Sequence, residues 1–532
     1  MKSTPPIPTL TEAAALSPEM VVEFILESRS QNELLQQQII ALKHQIEWFQ
    51  RQIFGQKSEK RFVDEFGQQM SLGEVIELPQ TGTPPEAPTR IVAAHARQAK
   101  PTDAGSEAVP FFDESRVPVE IIELANPELD GLAPEQFVII GTKETYRLAQ
   151  RPGSYVVIKY VRPVAKRLDT QAISAPAAPV GVIEGSRADV SFIAGLMLDK
   201  FAYHIPLYRQ HQRLTDAGFT LSRPWLTQLS QQGASLLEPI YEAQLASIRT
   251  SRVKAMDETP IKAGQNGAGK MKQGYFWPVY GEGEEICCPF CESRRAEHVR
   301  EILGMNAVEG GVLLTDGYAA YERYAEITGL THAQCWAHTR RKFFEAQDVE
   351  PEAATEALDQ IGAIYAIETY IREQALKGEK KRDYRLMHAK PLVERFFDWV
   401  KQRFQDQGLL PKSPFTAALA YARERRFGLE VFLTDPDVPI DTNHLERALR
   451  VIPMGRKSWM FSWTELGAKH VGILQSLIVT CRLHGIDPYD YLVDVLQRVA
   501  THPAARVHEL TPRLWKTRFA ANPMRSDLYN KR

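Results

Sequence analysis

The sequence predicts a multidomain protein of the α/β plus α class. At 532 residues the chain is too long for a single hydrophobic core. Strand-like runs that end in acidic residues are followed by helices, and a charged helical tract interrupts this pattern. Flexible stretches rich in proline and alanine, at 79–110 and 174–179, separate smaller modules from that mixed core. We therefore expect a core of strands and helices preceded by independent N-terminal modules.

The N-terminal part is predicted to contain a coiled-coil helix, a linker and a small β-rich module. Within residues 18–61, apolar side chains from Leu35 to Ile53 recur at alternating steps of four and three, which is the seam of a coiled coil. Because three heptads is short, an amphipathic helix packed on its own chain is the alternative. Residues 62–115 are predicted to be a linker, and residues 116–168 alternate apolar and polar side chains as β-strands do.

Residues 187–232 show the pattern of a helix-turn-helix DNA-binding region. The turn contains the glycine expected between two helices of such a motif. Arg209, Arg213 and Arg223 are candidate contacts to DNA phosphates. Any small helical subdomain would give a similar pattern, so DNA binding and a purely structural role both stay open. The predicted helices are 189–201, 206–216 and 223–232.

Three carboxylates in distinctive local settings are the candidate catalytic and metal-binding residues. Asp257 and Asp316 each end an apolar strand, and Glu446 lies on a helix predicted over 441–452 and stopped by Pro453. Two acids at strand ends and one on a helix can converge on two divalent cations, as in enzymes that attack phosphodiesters. Hard oxygen ligands select Mg²⁺ or Mn²⁺. Singly, each acid would more often be a turn former or a helix cap.

Basic side chains near Glu446 add a candidate nucleic-acid surface. The net charge of −2 means that any such surface is local rather than global. One face of the predicted helix offers an acid for a metal beside a base for a phosphate. The candidate contacts to the DNA backbone are Arg447, Arg450, Arg456 and Lys457.

A zinc site is the alternative use of the metal-ligating residues. Cys288 and Cys291 form a C-x-x-C pair, and Cys335 and His338 form a C-x-x-H pair, so together they could supply four zinc ligands. The first pair lies in a predicted strand, where cysteine is a small buried apolar residue. Cys335 and His338 are then expected to pack near the acidic centre.

The composition excludes several classes of protein. An apolar content of 44% and a charged content of 24% are ordinary for a globular protein in solution. The start of the chain has no apolar signal core, and no run approaches the length of a membrane span. Five cysteines in so long a chain argue against a secreted disulfide framework. We expect a cytoplasmic protein with no membrane partner.

The chain resembles the transposases of the insertion sequence 66 family at several separate points. NHLERALRVIPMGRKSWMF at 443–461 is the closest correspondence. The other segments that carry the resemblance are FGQKSEKR at 54–61, HIPLYRQHQRL at 204–214, GFTLSRPWL at 218–226, MDETP at 256–260, TDGYAAYERY at 315–324 and CWAHTRRKF at 335–343.

This resemblance implies an RNase H-like fold with a DDE active site, carried here by Asp257, Asp316 and Glu446. It implies DNA cleavage and strand transfer with Mg²⁺, acting at the terminal inverted repeats of an element and on target DNA. Homo-oligomers, accessory proteins of the same element and association with the nucleoid are further expectations. The corresponding division of the chain is a catalytic core at 250–345 and 436–500, a helical insertion at 346–435 and a basic C-terminal tail at 501–532.

One segment departs from the family pattern. Members commonly carry a small zinc-binding module before the helix-turn-helix, whereas residues 116–168 contain no cysteine. A module at this position must fold without zinc. Two other functions remain open: a DNA-binding protein of transposon origin that no longer catalyses, and an RNase H-type nuclease without strand transfer.

Overall fold

A computed structural model describes residues 29, 111–115, 117–151, 153–267, 270–405, 410, 412–459 and 462–529. The coiled-coil helix predicted at 18–61, apart from residue 29, and nearly all of the linker predicted at 62–115 therefore lie outside the described residues. The described part mixes helices with several sheets, and this confirms the predicted α/β plus α character.

The first sheet has four strands and is dominated by one long hairpin. Strand β2 (Phe137–Arg151) pairs with β3 (Ser154–Arg167) in antiparallel fashion along its length. Strand β1 (Val119–Glu123) runs parallel to β3, and β4 (Ile173–Ser174) runs antiparallel to it. Gly153 has a φ of +82°, the left-handed conformation that a tight hairpin turn favours in glycine. Strands thus occupy the region where the sequence predicts a β-rich module.

Three helices follow this sheet: α1 (Val190–Phe201), α2 (Leu207–Asp216) and α3 (Arg223–Arg249). The predicted end of α3 at residue 232 is wrong, because the helix continues through Gly233 and Pro239 to residue 249. A Cβ atom at Gly233 would lie 2.8 Å from Met197 Sδ on α1. Glycine is therefore a site of close helix packing here, rather than a helix stop.

The central sheet has five strands among the described residues, and their order differs from their order in the chain. The eight strands after α3 are β5 (Val253–Met256), β6 (Thr259–Gln265), β7 (Met271–Phe276), β8 (Val279–Gly281), β9 (Glu285–Cys287), β10 (Phe290–Cys291), β11 (Val312–Thr315) and β12 (Thr331–Gln334). The central order is β12-β11-β5-β8-β9. Strands β12, β11 and β5 run parallel to one another, and β8 pairs in antiparallel fashion with both β5 and β9. Strands β10, β7 and β6 form a separate three-stranded sheet.

Helices make up the remainder of the described chain. Those before the insertion are α4 (Glu297–Leu303), α5 (Ala319–Thr328) and α6 (Trp336–Ala346). Those within the predicted insertion at 346–435 are α7 (Pro351–Glu373), α8 (Gly378–Tyr384), α9 (Lys390–Arg403), α10 (Pro414–Glu424) and α11 (Arg426–Thr434), with a π-helical turn at Arg385–Ala389. Those after it are α12 (Asn443–Leu449), α13 (Val451–Trp459), α14 (Glu465–Leu483), α15 (Pro488–Arg498) and α16 (Pro512–Arg518).

A buried arginine joins the insertion to the segment that leads to α12. The Arg385 side chain is fully buried and binds both carboxylate oxygens of Glu368 at 2.7 Å. It also donates to the carbonyl oxygens of Phe432, Asp435 and Val438. Because these bonds satisfy a desolvated cation, the insertion is fixed relative to the chain that enters α12.

The predicted helix stop at Pro453 is also wrong. Arg450 alone separates α12 from α13, and Pro453 lies within the first turn of α13. The first N–H groups of a helix have no intrahelical partner, so proline costs no hydrogen bond at this position.

The C-terminal segment packs on the body of the protein. Trp515 on α16 is buried, and its indole N–H donates to Asp494 at 2.7 Å. Arg513 bonds Glu285 on β9 at 3.1 Å. The region predicted as a basic tail thus contains a helix anchored to other elements. None of the described helices combines the length and the apolar character that crossing a membrane requires.

Candidate active site

Two aspartates meet at one edge of the central sheet. Strands β5 and β11 are parallel neighbours in which Ala255 pairs with Leu314. Asp257 and Asp316 each follow two residues after that pair, so the strands deliver both carboxylates to the same edge. This is the arrangement expected when apolar strands end in acids.

The backbone orients both aspartates. One carboxylate oxygen of Asp257 accepts a hydrogen bond from the N–H of Glu258 at 2.8 Å, and one of Asp316 accepts from the N–H of Tyr318 at 2.9 Å. Burial raises the pKa of Asp257 to about 7, and the negative charges of Glu258, Asp316 and Glu446 act in the same direction. The three predicted acids therefore interact electrostatically.

Glu446 is linked to this edge through a chain of hydrogen bonds. The Cys335 N–H donates to the carbonyl oxygen of Thr315, at the end of β11, at 3.1 Å. The sulfur of Cys335 accepts from the N–H and the hydroxyl of Thr442 at 3.3 and 3.2 Å. The N–H of Glu446 then donates to the carbonyl oxygen of Thr442 at 2.9 Å. Cys335 thus ties the start of α12 to the strand that carries Asp316.

His338 and Arg341, both on α6, face the Glu446 carboxylate. His338 Nε2 lies 3.9 Å from Glu446 Oε1, and an Arg341 guanidinium nitrogen lies 3.8 Å from Oε2. Both distances exceed a hydrogen bond. Glu446 Oε1 is buried and has no hydrogen-bond partner among the described residues. Burial lowers the pKa of His338, so its ring is neutral and adds no positive charge near pH 7.

A fourth carboxylate, Glu258, is one that the sequence reasoning did not select. Its oxygens accept hydrogen bonds from the Tyr321 hydroxyl at 2.5 Å and from Arg294 Nε at 2.7 Å. Burial raises its pKa. Because its oxygens are already bonded, Glu258 is a structural neighbour of Asp257 in this site. Its position directly after Asp257 is the only sequence signal for it.

The oxygen ligands of Asp257, Asp316 and Glu446 are of the chemical type that a hard divalent cation prefers, but in this structure they are not arranged around a single metal position. The three acids offer oxygen ligands, Glu446 Oε1 lacks a partner among the described residues, and burial together with the neighbouring carboxylates raises the pKa of Asp257. Across the described residues, however, no three His, Cys, Asp or Glu side chains are arranged to hold one ion. The zinc alternative is therefore not supported either, and the sulfur of Cys335 is instead a hydrogen-bond acceptor.

Comparison with known families identifies the chain. A family model described as Transposase IS66 family matches residues 185–470, which include all three acids. The chain belongs to the IS66 transposase family. A model described as IS66 C-terminal element matches residues 476–513. A third, described as Transposase C of IS166 homeodomain, matches residues 41–110 and indicates a homeodomain-like DNA-binding region there.

Relatives of this transposase extend along most of the chain. Uncharacterized protein y4hP of Sinorhizobium fredii (strain NBRC 101917 / NGR234) is 30% identical, and the match covers 91% of this chain and 90% of the relative. Uncharacterized protein y4jD of the same organism is 28% identical, with 91% of this chain and 96% of the relative covered.

The arginines predicted to contact DNA near α2 of the transposase differ in their surroundings. Arg209 and Arg223 are exposed. Arg213 is also exposed, but it forms an ion pair with Asp199 at 3.2 Å. The family match at 41–110 places a DNA-binding region elsewhere, so DNA contact by these arginines stays a prediction.

The basic residues predicted around Glu446 fall into two groups. Arg447 and Arg450 are exposed and line the same cleft as Glu446. Lys457 is exposed on α13, whereas Arg456 is half-buried and donates to the carbonyl oxygen of Pro260. The first two are therefore the basic residues that the structure brings to the acid.

Arg425 of the insertion supports the loop that holds Asp316. Its guanidinium donates to the carbonyl oxygen of Gly317 at 3.0 Å and lies 3.9 Å from the centre of the Tyr421 ring. The Arg425 Nε is buried without a hydrogen-bond partner among the described residues. A Cβ atom at Gly317 would collide with this guanidinium. A side chain at position 317 would therefore have to displace the Arg425 guanidinium from the loop that holds Asp316.

We expect Gly317→Ala to lower DNA cleavage by roughly 10- to 100-fold, because displacement of Arg425 would move Asp316 from its position. Gly362→Ala on α7 is the matched control, since a Cβ atom there meets no other atom within 4 Å. The control should keep full activity and gain about 0.5–1 kcal/mol of stability. Cleavage rates and unfolding midpoints of both variants test this, and equal activity of the two would contradict it.

Proposed function

We propose that this transposase cleaves DNA at the ends of an insertion sequence and joins those ends to target DNA. Asp257, Asp316 and Glu446 would be its catalytic and metal-binding residues, with Mg²⁺ or Mn²⁺ as the cofactor. The carrying observation is the shared edge of β5 and β11, to which Cys335 and Thr442 also tie the Glu446 helix. Strand ends and a short hydrogen-bonded path are rigid supports, as a catalytic constellation requires.

The strand order supports an RNase H-like core. An antiparallel unit of β5, β8 and β9 is followed by β11 and β12, which extend the sheet on the other side of β5 in parallel. The two aspartates directly follow the first and fourth of these strands, and Glu446 lies on a helix after them. We assign α7–α11 as an insertion into this core, because they lie between α6, which directly follows β12, and the Glu446 helix.

The proposed reaction consists of two successive displacements at phosphorus. In the first, a water oxygen bonds to phosphorus, the bond to the 3′ oxygen breaks, and the element end is left with a 3′ hydroxyl. In the second, that 3′ oxygen bonds to a target phosphorus and displaces the target 3′ oxygen, while its proton passes to solvent. Bound divalent cations would supply charge neutralisation and activation of the attacking oxygen. The acids hold the geometry, and Arg341 lies where it can offset phosphate charge.

Pairing two element ends requires more than one active site, so we propose that the protein acts as a homo-oligomer. The coiled-coil seam at 32–53 is our candidate contact. We also propose that accessory proteins of the same element take part in the reaction, and that the protein acts in the cytoplasm at the nucleoid.

Product analysis tests this function. Labelled duplexes that end in the inverted repeats flanking the gene would be incubated with a target plasmid and Mg²⁺, Mn²⁺ or EDTA. We expect cleaved and joined products with either cation and none with EDTA. Cleavage without joining would instead indicate an RNase H-type nuclease. DNA binding with neither product would indicate a DNA-binding protein of transposon origin.

A further inference from the structure

A cleft of about 910 Å³ lies between the helical insertion and the helix that carries Glu446. One wall is formed by the C-terminal half of α7 and by residues 376–385, and the other by residues 439–450. Glu446 itself lines the cleft, so the cavity is continuous with the candidate active site. Its position raises the question of what the insertion binds there.

Positive charge dominates the groups in this cleft that lack ion-pair partners. Glu368, one of its acids, is already bonded by Arg385, and Asp441 accepts from the Tyr365 hydroxyl at 2.8 Å. Six cationic side chains line the cleft, and the five other than Arg385 form no ion pair with a described carboxylate. These five are Arg372, Lys377, Lys381, Arg447 and Arg450.

Lys381 is the least exposed of these five cations and has no described carboxylate within ion-pair distance. Its side chain is half-buried, and burial lowers its pKa; the positive charge of Arg385 acts in the same direction, and the more distant carboxylates of Glu368, Asp437 and Asp435 act in the opposite one. Taking a cation out of water without a partner is unfavourable. An anion bound in the cleft would offset that cost, so this feature of the free protein points to an anionic ligand.

We propose that the cleft binds the sugar-phosphate backbone of the DNA strand that enters the active site, and that Arg372, Lys377 and Lys381 contact its phosphates. The cations are spread over both walls rather than gathered at one point, and this suits a polyanion with successive phosphates better than a single small anion. The helical insertion is then a DNA-binding element. The inference rests on the proposed function for the identity of the strand, but binding can be measured without catalysis.

The test compares two triple variants with the same change in charge. The cleft variant is Arg372→Gln/Lys377→Gln/Lys381→Gln. The control is Arg395→Gln/Lys401→Gln/Lys412→Gln, because these residues are exposed basic side chains of the insertion region outside the described clefts. Affinity for terminal-repeat duplex DNA would be measured in EDTA over a range of salt concentrations.

Each lost phosphate contact on B-DNA reduces the slope of log affinity against log salt by about 0.9. We expect the cleft variant to lose about 2 to 3 in slope and at least tenfold in affinity near 0.1 M salt, whereas the control matches wild type. Lys377→Gln alone should reduce the slope by about 0.9. Because Lys377 is exposed, this single variant is expected to fold normally even if the triple variant does not.

Two outcomes would overturn the proposal: equal slopes for the cleft and control variants, or loss of inorganic phosphate binding without loss of DNA binding. The second would assign the cleft to a small anion. The binding measurements are made in EDTA and do not depend on catalysis. If the cleft variant loses slope and affinity as expected but wild type gives no cleavage products with Mg²⁺ or Mn²⁺, the proposed function is rejected and this inference stands.

Discussion

Replacing Glu446 by Gln, or Asp257 or Asp316 by Asn, should lower DNA cleavage by about 10³-fold while DNA binding persists. Each amide keeps the shape of the side chain but removes an anionic oxygen that a divalent cation needs. Metal ions stabilise the transition state of phosphoryl transfer by several kcal/mol, and about 4 kcal/mol corresponds to about 10³ in rate. Single-turnover cleavage of terminal-repeat DNA in Mg²⁺ measures the loss.

The control for this series is Glu322→Gln, at an exposed acid on α5 that follows Asp316 closely in the chain. It should cleave DNA at the wild-type rate. Glu258→Gln is informative in another way, because Glu258 bonds Tyr321 and Arg294 and should affect stability more than chemistry. Wild-type cleavage by any of the three amide variants of the triad would remove that residue from the assignment.

The placement of the two aspartates at strand ends can be predicted from the sequence because it depends on local residues. An apolar strand that ends in an acid is visible in a few residues, and parallel pairing of β5 with β11 then brings Asp257 to Asp316. The mixed α/β character is predictable for the same reason. The ends of α3 and α12 are not, because tertiary packing at Gly233 and the first-turn position of Pro453 override the usual stop signals.

The remainder of the site depends on contacts between distant parts of the chain. Glu258 meets Tyr321 at a separation of 63 residues, and Cys335 meets Thr442 at a separation of 107. From sequence, Cys335 in a C-x-x-H pair could equally be a zinc ligand. Only the fold shows that its sulfur accepts hydrogen bonds at the start of the Glu446 helix.

The insertion shows the same limit for charged residues. Its sequence is a tract rich in acids and bases, in which each charge would usually belong to a solvated face. The fold buries Arg385 against Glu368 and leaves Lys381 without an ion-pair partner among the described carboxylates. The presence or absence of an ion-pair partner therefore distinguishes a structural cation, Arg385, from a candidate phosphate contact, Lys381. The residue type alone does not make this distinction.

Asp257→Asn should stabilise the metal-free protein, and the gain should be larger at pH 8 than at pH 5.5. The ordinary pKa of 3.8 applies to the unfolded chain, whereas burial and neighbouring acids raise the folded value to about 7. Between these values the native state binds more protons, so stability falls as pH rises, and the full cost is present above pH 7. At 1.36 kcal/mol for each unit, with some allowance for solvent, the cost is about 2–4 kcal/mol at pH 8. Asparagine cannot ionise, so the Asp257→Asn variant does not have this cost.

Unfolding midpoints of wild type and Asp257→Asn in EDTA at both pH values measure this difference. Burial lowers the pKa of His338, which costs both proteins stability as pH falls, so the comparison is made between the two proteins at each pH. Adding Mn²⁺ at pH 8 should stabilise wild type far more than the variant, because a cation relieves repulsion among three carboxylates. Equal gains at both pH values would show that Asp257 ionises normally in the fold. A variant that is more stable and yet inactive would identify Asp257 as a residue kept for chemistry at the expense of stability.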